Sequence, residues 1–156
     1  MGKFESKVDR EGVDVLVSLG GVIDEDVDFS QLNVAGAEKV SVDFSGVKSI
    51  NSCGIREWMK WIASLKTAEV TYVKCPKVII DQINMVDGFL PSNGKVESFY
   101  VPYYNETTGI EKIVLFRYGV DFKEKAVTPP AQVLDDQGQP MEMDVLEAKY
   151  FRFINK

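Results

Sequence analysis

Ser52 and Cys53 are the residues of this chain whose types and setting could do chemistry. A hydroxyl and a thiol stand side by side where polar sequence gives way to apolar residues at helical spacing. The first amides of a helix are unpaired and aligned, so a serine there can carry a phosphate and a thiol there can be open to oxidation or alkylation. Plainer roles compete with these. Serine and asparagine are common helix caps, which accounts equally for Asn51 or Ser52, and a small buried cysteine accounts for Cys53. Covalent catalysis has little to work with, because the chain has no histidine to act as the base for either nucleophile. The Gly20-Gly21 pair lacks the third glycine and the helix of a phosphate cradle, and reads as a break after a strand. Asp24 and Asp26 could act as an acid and base pair, but among 24 acidic residues chance pairs on a solvated surface are the expected finding.

The elements that must position Ser52 are legible in a change of period. Val40, Val42 and Phe44 alternate with polar residues as in a strand, whereas Ile55, Trp58, Met59, Ile62 and Leu65 recur at three and four as on one helix face. A polar loop is expected between them. Trp58 lies in the apolar stripe and is expected in the core. Trp61 lies at its edge, where an exposed tryptophan would anchor an interface rimmed by Arg56, Glu57 and Lys60.

The run VDFSGVKSINSCGIREWM resembles the STAS domain, the fold shared by bacterial anti-sigma factor antagonists and the cytoplasmic tails of some anion transporters. In that family a strand ends in Asp-hydrophobic-Ser, and an Asp-Ser-Ser-Gly-hydrophobic motif opens the following helix. The corresponding residues here are Asn51-Ser52-Cys53-Gly54-Ile55. The resemblance spans roughly residues 8 to 90 and places the family's phosphorylatable serine on Ser52. It implies a partner surface at the motif residues Asn51, Ser52, Cys53 and Gly54, to which the helix face adds Arg56 and Trp61, with an anti-sigma factor serine kinase as partner. Asn51 stands where the family has an acid, and Cys53 where it has a second small hydroxyl residue.

Composition narrows the classes. The 156 residues suit one domain or two small ones, and 45% hydrophobic residues suffice for a core. A net charge of -6 would repel a polyanion, so nucleic acid is not an expected partner. No run of about 18 apolar residues is present to cross a bilayer, and Met1 to Glu5 leads into strand-like sequence; the expectation is a cytoplasmic protein without a membrane partner. Two cysteines, Cys53 and Cys75, are too few for a disulfide framework.

In chain order, Lys3 to Asp9 and Val13 to Leu19 read as a hairpin about Gly12. Asp24 to Phe29 reads as an acidic turn or helix start rather than a calcium loop. Val70 to Val73 is a further strand, ending at Cys75. Pro76 is placed as the first residue of a second helix, with Val78, Ile79, Ile83 and Val86 inward. Alternating strands and helices predict an α/β layer with a mixed sheet and at least one parallel pair over residues 1–90.

Residues 95–156 differ. Aromatic residues abound, and short alternating runs at Val96 to Tyr104, Ile110 to Phe116, Met141 to Val145 and Lys149 to Ile154 predict a small antiparallel β unit. A unit of that size is marginal alone and should pack on the first unit or on another chain. Its turns resemble the two knuckles of a zinc ribbon, with Asn105 and Thr108 before Gly109, and Leu134 and Gln137 before Gly138, at the ligand positions. None is a cysteine, so no metal and no cofactor is expected.

Two function classes follow. One is a non-enzymatic regulatory protein-protein interaction module, similar to an anti-sigma factor antagonist and switched by phosphorylation of Ser52. The other is a structural, scaffolding or homo-oligomerising protein with the same fold and no switch. Small-ligand binding has no residue in the sequence to carry it.

Overall fold

A computed structural model describes residues 3–155. Strands β1 (Glu5–Glu11) and β2 (Asp14–Ile23) form an antiparallel hairpin, with Gly12 in the left-handed region its tight turn requires. A 3-10 turn at Phe29–Gln31 leads to β3 (Lys39–Ile50), then α1 (Ser52–Ala63), β4 (Glu69–Val73), α2 (Lys77–Met85) and β5 (Gly94–Val96). The five strands lie in the order β1-β2-β3-β4-β5, parallel from β2 onward, so the sheet is mixed and the fold is α/β. Val15, Val17 and Leu19 alternate with more exposed residues along β2. Together with Val40, Val42, Phe44, Val70 and Tyr72 they form the sheet's buried face.

Two expectations about the sheet fail for one reason. Gly20-Gly21 does not break β2, and residues 45–50 are the second half of β3 rather than a loop. The two segments pair with each other, Gly20 with Gly46 and Ile23 with Ile50, across shifts in register. A side chain at Gly46 would lie 3.1 Å from both the Gly20 Cα and the Leu19 carbonyl oxygen, so glycine is what lets the strands close. Pro76 is the N-cap of α2 and not its first residue, and Ile80 joins Ile79 and Ile83 on the fully buried face, with Val78 and Val86 half-buried against the core.

A buried hydrogen-bond chain ties the layers. Trp58 Nε1 on α1 donates to Tyr72 Oη on β4 (3.0 Å), which donates to the Phe89 carbonyl before β5 (2.6 Å). All three residues are inaccessible to solvent, and burial pushes the Tyr72 phenol up.

The C-terminal half comprises β6 (Ser98–Tyr104), β7 (Glu111–Arg117), a small hairpin of β8 (Phe122–Lys123) and β9 (Ala126–Val127), and β10 (Glu142–Met143). Helix α3 (Glu147–Tyr150) and a 3-10 turn (Arg152–Asn155) follow. The antiparallel sheet runs β10-β6-β7. The strand expected at Lys149 to Ile154 is helical instead, because that geometry turns Tyr150, Phe151 and Ile154 inward together. Phe99 is their hub, with the rings of Phe116, Phe122, Tyr150, Phe151 and Phe153 at 5.0 to 6.1 Å. Met141 to Val145 contributes only Glu142 and Met143 to the sheet.

The halves share one core. Cys75 N donates to Ser98 O, and Tyr100 N donates to Cys75 O. Asn84 on α2 donates to Tyr150 O and accepts from Phe153 N.

The two glycine-containing turns of this half face each other, and the residues that join them are Asn105, at an expected ligand position, and Asp135, which is at none. Asn105 Oδ1 accepts from the Thr107 and Thr108 amides, and its Nδ2 donates to Asp135 Oδ2 at 3.0 Å. Asp135 Oδ1 accepts from the Gln137 and Gln139 amides. The Gln139 amide, with the Asn105 side chain next in weight, holds the Asp135 carboxyl below the usual carboxylate range.

Two tests follow from these contacts. Tyr72→Phe leaves a buried indole N–H and a buried carbonyl without partners, and urea denaturation should show a loss of about 2–4 kcal/mol. A depressed folded pKa makes the Asp135 contribution present above the unfolded carboxylate value of about 3.9 and lost as pH falls through the folded value. Asp135→Asn sets an amide donor against the Asn105 Nδ2 donor. The variant should be less stable at pH 7 and lose less stability than the parent on acidification below about pH 4.

Candidate functional site

Helix α1 begins immediately after β3, and four hydrogen bonds define its first turn. Asn51 N donates to Ile23 O at the end of β2 (3.1 Å), and Ile55 N donates to Asn51 O (2.9 Å). Asn51 Oδ1 accepts from Gly54 N (2.9 Å), and its Nδ2 donates to Glu25 Oε1 (3.0 Å). Asn51 is thus the cap, with the extended backbone of that position, and Ser52 is the first helical residue. Ser52 is exposed, and its hydroxyl takes no part in the bonds that hold the turn. Its amide and that of Cys53 are likewise outside those bonds, which leaves the positive end of the helix dipole at Ser52.

The glycine of the motif has a steric reason. Gly54 is buried against β2, and a Cβ there would run into the Ile23 carbonyl oxygen, with the carbonyl carbon and Cγ2 only 2.8 Å away. Glycine therefore brings the first turn of α1 down onto the sheet and fixes the height at which Ser52 stands.

Glu25 was not foreseen as part of this site. It lies 26 residues from Asn51, and only the acidic character of its segment was visible. A backbone hydrogen bond at Glu25, and then the Asn51 amide, hold its carboxyl below the ordinary value. The segment is a series of turns and not a helix start: Asp24 Oδ1 accepts from Asp26 N, and Asp28 Oδ1 accepts from Ser30 N and caps the 3-10 turn. An acid at position 51 would set two carboxylates against each other, whereas asparagine bridges Glu25 and the helix.

The other expected site residues divide. Arg56 is exposed and pairs with Glu57 (3.8 Å), which also meets Lys60 (3.4 Å), so the polar rim exists on the outer face of α1. Trp61 is half-buried rather than a protruding anchor. It packs on Trp58 with ring centres 5.1 Å apart and on Phe29 at 6.3 Å. Cys53 is half-buried, while Cys75 is the fully enclosed thiol, pushed up by burial and by the nearby Asp43 and Glu97 carboxylates. Among the described residues, no three acidic or thiol side chains converge as metal ligands would. Nor, among them, is any helix long and apolar enough to cross a membrane.

Comparison with protein-family models, with curated proteins and with solved structures finds no match. The site therefore stands on its own geometry: an exposed hydroxyl at a helix start, a cap supplied by its neighbour, and an acidic turn held to that cap.

Replacing the glycine tests that geometry. Gly54→Ala should cost about 1–3 kcal/mol in urea denaturation, because the backbone of β2 cannot yield as a side chain would.

Proposed function

We propose that this chain is a non-enzymatic, cytoplasmic protein-interaction module of the anti-sigma factor antagonist kind. Its contact surface is the Ser52 turn with the outer face of α1. The observation that carries this reading is the division of labour at the turn: Asn51 supplies the cap, so the exposed Ser52 hydroxyl is free of any structural duty there. A kinase of the anti-sigma type can then modify Ser52 without dismantling the helix. A phosphate would sit by the unpaired amides and change the charge of a surface that Arg56, Glu57 and Lys60 share. The C-terminal unit, on this reading, is a metal-free ribbon whose knuckles are joined by Asn105 and Asp135.

One feature favours self-association instead. Strand β7 is an edge of its sheet, and Ile110, Ile113 and Leu134 are exposed at it or close by.

Intact-mass and peptide mass spectrometry on protein from its own cells, purified with phosphatase inhibitors, should find phosphate on Ser52. Ser52→Asp should weaken capture of a co-purifying kinase about tenfold, whereas Ser52→Ala should bind as the parent does. An unmodified Ser52 across growth conditions, with self-association alone recovered, would favour the scaffold.

A further inference from the structure

A cleft of about 380 Å³ lies where the edge strand β5 meets the β8–β9 hairpin and the C-terminal 3-10 turn. Its floor is apolar and half aromatic, formed by Leu90, Val96, Tyr118, Phe122, Phe153 and Ile154. Phe122, Val96 and Ile154 are buried, while the Tyr118 ring stands half-exposed at an edge-on contact with Phe122. Lys95, Lys123 and Lys125 line the mouth with Glu97 and Glu124. Three ammonium groups against two carboxylates leave an excess of one positive charge, on a chain whose net charge is -6.

A second observation concerns Lys125. It occupies the two-residue turn between β8 and β9 with φ +63°, in the left-handed region. Among the described residues seven glycines take positive φ, and Lys125 is one of only two other residues that do. Its amide donates to Ile154 O (3.0 Å), which fastens the turn to the floor of the cleft. Glycine would suit this backbone better, so the turn accepts strain while carrying a cation at the mouth.

We propose that this cleft binds a small organic monoanion with a flat apolar body, such as an aromatic carboxylate. The body stacks against Tyr118, Phe122 and Phe153, and the carboxylate meets the lysines, Lys125 foremost. Size, an apolar floor and a few converging polar groups are the ordinary features of small-ligand sites, which favour junctions between structural units. The proposal is independent of the reading of Ser52.

The test is a titration of the full chain, followed by amide chemical shifts, with phenylacetate as probe and neutral phenylacetamide as its isostere. Phenylacetate should move the Lys95, Lys125 and Ile154 amides saturably and bind about threefold or more tighter than phenylacetamide. Lys125→Gly keeps the turn's preferred conformation and removes the charge. Its melting temperature should match or exceed the parent's while phenylacetate affinity falls about two- to fivefold. Shifts absent from the cleft, an equal response to the neutral isostere, or unchanged affinity in Lys125→Gly would each overturn the proposal.

Discussion

The contact between Gly54 and the Ile23 carbonyl is the constraint on which the candidate site depends. A helix can begin so close to a neighbouring strand only if the residue at the point of contact has no side chain. With that approach made, Asn51 N reaches the same Ile23 carbonyl, its side chain turns back onto Gly54, and its amide group reaches Glu25. Ser52 is then left outward. The exposure of the hydroxyl thus follows from a packing requirement beneath it.

Further in, buried polar side-chain atoms among the described residues are paired, with the Thr71 hydroxyl the exception. Trp58 and Tyr72 are large enough to span from helix to sheet, and each has a polar atom that must find a partner; the Phe89 carbonyl completes the chain. The same economy recurs between the halves, where Asn84 satisfies two backbone groups of the C-terminal tail with one side chain. It recurs again at the facing turns. A carboxylate and an amide, each already accepting backbone N–H bonds, join across the gap by a single further bond. Apolar burial supplies the bulk of cohesion, and these bonds decide which surfaces meet.

Much of the first half was legible, because period and capping chemistry are local. The alternation of Val40, Val42 and Phe44, the stripe through Trp58 and Ile62, and the choice of Asn51 or Ser52 as cap all lie within a few residues of one another. What the sequence concealed was set by distant partners. The extension of β2 through its glycines and of β3 to Ile50 exists because each offers the other an edge. Glu25 belongs to the site only through the fold. In the second half, the run from Lys149 to Ile154 alternates well enough for a strand, but the ring of aromatic side chains around Phe99 fits it as a helical turn. The cleft beside β5 draws residues from five separate runs of the chain, which no single window of sequence reveals.

The parallel register of the first sheet also bears on the order of assembly. Only β1 and β2 pair across a short turn; β3, β4 and β5 must each be brought in over an intervening excursion of chain, which delays their pairing. The C-terminal half is different, since β6 with β7, and β8 with β9, are local hairpins that can form early. Yet β6 follows β5 after a single residue, so its anchorage waits on the last strand of the sheet. The half of the molecule best able to pair locally is therefore attached directly to the sheet whose pairing is least local.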